Sequence, residues 1–214
     1  MNRSLLLVVP LTICCLASAG CPDPTADKPK AEVKDAKPAA PKAETAQGDA
    51  KAEAGLQHFS NEGSKLLFVG SKVTGSHDGG FNTFKGTVKM SGGVPTAMAL
   101  TIDMTSVFTD AAKLTGHLKG SDFFDIAKHP ETKFASTAIK AAPANSKHTH
   151  DVTGNLTLRG ATKEITFPIV VGAQGAKVSG EFSINRKDFG ILYAGKADDL
   201  IRDNVLVKID LAIK

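Results

Sequence analysis

Tryptophan is absent from the 214 residues, tyrosine occurs once, at Tyr193, and the three cysteines are Cys14, Cys15 and Cys21. With every thiol this close to the start, a domain formed downstream has no disulfide, zinc–thiolate cluster or cysteine nucleophile to draw on. The net charge of +4 is too slight to argue for a nucleic-acid partner, and no basic stripe is interleaved with aromatics, so none is expected. No apolar run reaches the ~20 residues that a membrane-spanning helix needs. Phosphate loops, nucleophile elbows and paired-carboxylate motifs are missing too, so the sequence points to a protein that is not an enzyme.

What the sequence does contain falls into three stretches. Residues 1–20 place Arg3 before the apolar run from Leu5 to Ala17 and end in Ser18-Ala19-Gly20, the pattern of an export signal. Ala19-Gly20-Cys21 resembles a lipobox, although Ser18 stands where that motif usually has Leu. The resemblance implies that Cys21 takes a diacylglyceryl group and becomes the lipid anchor of a cell-envelope protein; ordinary cleavage after Ala19 or Gly20 is the alternative. Pro22, next to the anchor, resembles sorting signals that favour the outer over the inner membrane, with the protein on the periplasmic face. Residues 21–56 carry Pro22, Pro24, Pro29, Pro38 and Pro41, ten alanines, and only Val33 and Leu56 as large aliphatics. Such a stretch buries too little to offset its ordering entropy, and it is expected to be a disordered tether holding the domain clear of the membrane. A helix after Pro41 is the other reading.

Residues 57–214 form the expected domain. Apolar and polar residues alternate along Lys65–Thr74, Phe84–Met90, Met98–Met104, Thr132–Ile139, Val152–Leu158, Ile165–Val171, Val178–Ile184 and Val205–Ile213. One polar face per strand excludes a parallel sheet covered on both sides. The fold class is therefore all-β. An eight-stranded antiparallel barrel removes exposed edges, and its interior is filled by side chains or by one small ligand; a two-sheet sandwich is the runner-up. A short helical insertion is expected between the third and fourth main strands, where Ala111, Leu114 and Leu118 fall at helical spacing. Ser121 is placed to cap a second short turn, and Pro130 forces an extended exit.

Four segments carry a resemblance: Phe81–Gly86, Gly120–Pro130, Gly154–Gly160 and Ile184–Ile191. They resemble, in order, the signature blocks of the YceI-like family. That resemblance implies a lipocalin-like barrel with an apolar tunnel for polyisoprenoid lipids, such as isoprenoid quinones or their precursors. No cofactor is implied beyond such a bound lipid. The lining expected on this basis is Phe84, Val88, Leu100, Ile102, Leu118, Phe124, Phe134, Leu156, Leu158, Phe167, Ile169, Phe182, Ile184, Val207 and Ile209. Lys72, His117 and Arg186 are the expected head-group contacts. Lys72 stands where many members carry His, and Leu114-Thr115 where an Arg-Asp pair is common.

The remaining chemistry-bearing residues have bland readings beside sharper ones. His148 and His150 have the spacing of two metal ligands on one strand face, but no third ligand accompanies them, and no metal site is expected. His129 resembles His117 in flanking the helical insertion. Arg186 and Asp188 read as a structural pair at a strand end. Gly75 to Gly80, around Ser76-His77-Asp78, reads as a hairpin turn and not as a catalytic triad. An isoprenoid-modifying enzyme using Lys72 or His117 inside the tunnel, and a solid barrel that binds nothing, are the competing functions. Homodimer formation stays open.

Overall fold

The computed structural model describes residues 21–36 and 55–214. The export leader and residues 37–54 of the expected tether lie outside the described residues. In chain order the strands are β1 (Glu32–Asp35), β2 (Leu56–Ser60), β3 (Lys65–Lys72), β4 (Gly75–Phe81), β5 (Phe84–Ser91), β6 (Val94–Asp103) and β7 (Val107–Thr109). Helix α1 (Ala112–Lys119) follows, and then β8 (Glu131–Ala141), β9 (His150–Leu158), β10 (Ala161–Val171) and β11 (Lys177–Asn185). A two-stranded ribbon of β12 (Gly195–Lys196) and β13 (Asp199–Leu200) precedes β14 (Asn204–Ala212).

Twelve strands make one curled antiparallel sheet in the order β2-β5-β6-β8-β9-β10-β11-β14-β3-β4-β7, with β1 on β10. The fold is mostly β and barrel-like, as the alternation implies, but it has more than eight strands. The extra strands β2, β4 and β7 lie outside the alternating runs, and short breaks separate β2 from β3, β4 from β5 and β6 from β7. At each break the sheet turns a corner and the chain changes partner: β4 pairs with β3 and β7, whereas β5 pairs with β2 and β6. At the third corner the Asp103 carboxylate accepts from the Thr105 backbone N–H at 2.9 Å.

Two sequence expectations fail for physical reasons. Gly75 to Gly80 is strand β4, not a turn. Its glycines admit aromatic rings over the backbone: a Cβ on Gly79 would lie 2.4 Å from Phe68 Cζ. Gly86 is covered by Phe59 and Gly154 by Phe134 in the same manner, so each ring supplies the burial its glycine lacks.

Residues 21–36 do not behave as the composition suggests either. Strands β10 and β11 pair directly only at Val170–Ser179 and Val171–Val178, and beyond that they part. The chain from Pro29 to Asp35 fills the slot. Ala31 donates to the Ser183 carbonyl and Ser183 donates to the Pro29 carbonyl, both at 2.8 Å, while Glu32–Asp35 pairs with Lys163–Thr166 on the other side. Backbone pairing needs no particular side chain, which is how so polar a segment becomes part of the wall. Ala31 is buried and Val33 packs against the core.

Helix α1 forms as its spacing predicts and buries Leu118. After it the chain makes turns and not a second capped helix: Phe124 donates to Leu118 O at 3.0 Å and Ile126 to Lys119 O at 3.2 Å.

Candidate ligand cavity

Alternation sends one face of each strand inward, and the inward side chains are almost all aliphatic or aromatic. They do not fill the space they enclose. A cavity of about 210 Å³ remains, and the surface it exposes is wholly apolar. Leu100, Ile102, Leu118, Phe124, Phe134, Leu156, Leu158, Phe167, Phe182, Ile184, Val207 and Ile209, all named above as expected lining, are placed along it. Phe167 is stacked on Phe182 with ring centres 4.4 Å apart, and Phe134 tilts against Phe167 at 5.5 Å. Leu100, Leu156 and Ile209 are only half buried although they face inward, which is the signature of side chains looking into empty space.

Phe84, Val88 and Ile169 face inward too, but they are packed and do not reach the cavity. Val88, Val152, Ile169 and Val178 are completely buried and lie toward the ends of the strands that lead into the β5–β6, β8–β9 and β10–β11 connections. That end is packed shut. The other end is covered by loops and one short helix: Leu118, Phe123 and Phe124 come from α1 and the turns after it, and Ile191 and Ile201 from the segment 190–203.

Two arginines hold this cover in place. Arg186 is 4 % exposed, donates to the carbonyls of Ile191 (2.7 Å), Arg202 (3.1 Å) and Ile201 (3.3 Å), and reaches Asp203 at 3.4 Å. Its partner is therefore Asp203, and not Asp188 as strand-end pairing suggests. Burial pushes the Arg186 guanidinium below its ordinary pKa, and the Asp203 carboxylate offsets part of that. Arg159 occupies the β9–β10 hairpin turn with φ +51°, beside Gly160 at +76°. From there it donates to Gly190 O at 2.6 Å and Ser121 O at 2.8 Å, joining both halves of the cover. An Arg-Gly pair between two alternating runs is a two-residue hairpin signal, although nothing in it reveals the long-range role.

Among the described residues, Arg186 is the one ionisable side chain along the cavity lining. Lys72 and His117, the other expected head-group contacts, stand outside. Lys72 forms an ion pair with Asp199, which also accepts from Thr74. His117 approaches Asp122 at 3.2 Å and lies edge-on to Phe123 and Tyr193. A catalytic reading based on Lys72 or His117 thus loses its residues from the interior. Thr132, which the sequence reading missed, also lines the cavity; it is 4 % exposed and its Oγ1 has no hydrogen-bond partner.

The remaining histidines serve the surface. His148 pairs with Asp151 and His150 with the Thr149 hydroxyl, each at 2.9 Å, so the two do not converge. The His129 ring covers Gly160. His77 joins Asp110 at 2.8 Å, tying β4 to the approach to α1. Among the described residues no cluster of three or more His, Cys, Asp or Glu side chains is arranged to hold a metal.

Known proteins share this architecture. Residues 58–213 match the YceI-like domain. A UPF0312 protein of Pseudomonas savastanoi pv. phaseolicola is 36 % identical over 123 residues, 53 % of this chain and 62 % of the relative. A Pseudomonas putida UPF0312 protein is 31 % identical over 140 residues, 61 % of this chain and 71 % of the relative. The chain thus spans less than two thirds of the length of the first of these relatives. Among solved structures, Burkholderia cenocepacia BcnA superposes with a TM-score of 0.63 at 27 % identity, covering 73 % of this chain and 99 % of BcnA. A polyisoprenoid binding domain from Saccharophagus degradans superposes with a TM-score of 0.56 at 20 % identity, covering 76 % and 99 %, and so shares the fold.

Proposed function

Since the chain belongs to the YceI-like family, we propose that it is a lipid-binding protein which holds a polyisoprenoid lipid in its interior, as a carrier or reservoir, while attached to the cell envelope through Cys21. The observation that carries the reading is the cavity of about 210 Å³ with no polar surface. An apolar cavity of ~150 Å³ already stays dry and takes up an apolar guest, so space of this kind is a binding site for hydrocarbon. Each methylene moved from water into it contributes about 0.8 kcal/mol, which favours a long unbranched or prenyl chain over a compact polar ligand.

Arg186 commits its donors to the carbonyls of Ile191, Arg202 and Ile201, and the cavity surface is apolar throughout, so the interior suits the hydrocarbon part of such a molecule and leaves its head group outside the apolar space. A guanidinium stays protonated, so the interior offers no proton to shuttle and the reading includes no covalent chemistry. The lipobox-like Ala19-Gly20-Cys21 supports anchoring on the periplasmic side, with the outer membrane favoured by Pro22.

Mass spectrometry of organic extracts tests this reading. The mature protein, purified from its own membranes in mild detergent, should release a prenyl quinone or polyprenyl lipid at about one per chain. An empty extract after incubation with native membrane lipids refutes it. The protein must include residues 21–36, because a version begun at residue 57 lacks β1.

A further inference from the structure

We propose that the loop-covered end of the sheet lies against the lipid bilayer, so that the cavity's cover is immersed in the membrane surface and not held away from it by a tether. The inference rests on the acylation of Cys21 proposed above, and the observation behind it is where Cys21 sits. Its backbone N–H donates to the Val73 carbonyl at 3.2 Å, and its own carbonyl accepts from Arg202 at 2.9 Å. Asp23 adds an ion pair to Arg202 at 2.9 Å, and the Thr25 backbone and hydroxyl close a turn on Asp23. The anchor residue is thus fixed to the β3–β4 hairpin and to the segment that crosses the cavity, with no spacer between them. Residues 37–54 come after β1 in the chain, so they do not separate Cys21 from the wall.

The surface beside Cys21 has the character this orientation needs. Val73 is 48 % exposed, Leu200 49 % and Leu192 65 %. Val73 is on the hairpin tip next to Lys72, which bridges to Ile201, the neighbour of Leu200; Leu192 and the exposed Tyr193 are on the same crossing segment. Val94 and Val170 are exposed singly at the packed end, whereas Val73, Leu192, Tyr193 and Leu200 are gathered at this end around the anchor residue, and such a group suits a bilayer interface more than water. A protein partner would have to share this small patch with the acyl chains themselves. In this orientation a prenyl lipid passes from the bilayer to the cavity under the cover held by Arg186 and Arg159, without crossing water.

The test uses the mature anchored protein in vesicles of phosphatidylethanolamine and phosphatidylglycerol. A spin label is placed at Leu200→Cys, or at Val94→Cys near the packed end; acylation keeps the Cys21 sulfur from reacting. The label at 200 should be accessible to oxygen and shielded from a water-soluble nickel chelate, with the reverse at 94. If mass spectrometry shows Cys21 acylated and both labels meet nickel equally, the orientation is refuted and the anchor stands. If Cys21 is unmodified, the anchor itself fails and the orientation with it. As a second measurement, Leu192→Glu/Leu200→Glu should slow uptake of a fluorescent polyprenyl lipid from these vesicles on the order of tenfold while leaving its affinity in detergent solution unchanged. Equal uptake overturns the proposal.

Discussion

Because the protein has no tryptophan, Leu156→Trp both obstructs the cavity and reports on it. Leu156 lies on β9, paired with Phe134 on β8 and Lys163 on β10, and is half buried although it faces inward. In a filled core this change would cost about 1–3 kcal/mol through overpacking. Here the indole enters open space, so the midpoint of urea unfolding should stay within about 1 kcal/mol of the parent. Ligand binding should suffer instead. An indole in place of an isobutyl group displaces about one five-carbon isoprene unit, and at about 0.8 kcal/mol per methylene that is up to about 4 kcal/mol. Affinity for a prenyl lipid should therefore fall between about tenfold and a thousandfold, read by titrating the quenching of the introduced indole's fluorescence with a prenyl quinone. A variant that unfolds readily would show that the interior is already full. One that binds the lipid as tightly as the parent would show that the lipid sits elsewhere.

Other consequences can be measured with similar means. Arg186→Met removes the donors that hold Ile191, Ile201 and Arg202, leaving buried carbonyls unpaired; a loss of about 2–4 kcal/mol in urea unfolding is expected, and Arg186→Lys should recover little because one ammonium cannot replace the fork. Thr132→Val removes a buried hydroxyl without a partner, so the protein should gain about 1 kcal/mol, read as a higher midpoint of urea unfolding. Ala31→Glu puts a charge into the slot between β10 and β11, and hydrogen exchange at Ile165 and Ser183 should accelerate while the pairing of β5 with β6 stays protected. The N-terminal attachment should also be acid-labile. Asp199 is held below the ordinary carboxylate pKa by Lys72 and then Thr74; burial pushes Asp23 up, but Thr25 and Arg202 together bring it below that value. With folded pKa values depressed, this support is complete above the unfolded value and is lost as pH falls through the lower folded one, so residues 21–31 should become protease-sensitive below about pH 4, ahead of the sheet. Release that begins near neutrality would contradict the assignment.

Alternation is enough to locate the inner faces. It places Leu100, Ile102, Phe182 and Ile184 toward the interior without knowledge of any partner strand. The same alternation cannot say how far along the interior a side chain stands, which is why Phe84, Val88 and Ile169 share the pattern of lining residues yet pack into the closed end. Glycine misleads in β4, because its usual meaning is a turn and the covering ring of Phe68 is a tertiary fact. Charged residues are least legible of all. Lys72 and His117 look available for a ligand until Asp199 and Asp122 are brought to them, and Arg186 looks like the partner of Asp188 until the chain returns with Asp203. In Glu32–Asp35 the pairing is made by backbone groups, to which the side-chain pattern is blind.

The wedge formed by Pro29 to Asp35 also sets an order of events. These residues are made well before the strands on either side of them, β10 and β11, and loop closure over so long a separation is slow. Until it happens, the facing edges of Lys163–Thr166 and Ser183 carry unpaired hydrogen-bonding groups, open to any passing strand. Insertion of the N-terminal segment is therefore a late seam of the fold, as is the pairing of β14 with β3. If Cys21 is acylated before that seam closes, this piece of the wall arrives already attached to the membrane, and the slot between β10 and β11 closes at the surface from which the protein would draw its lipid.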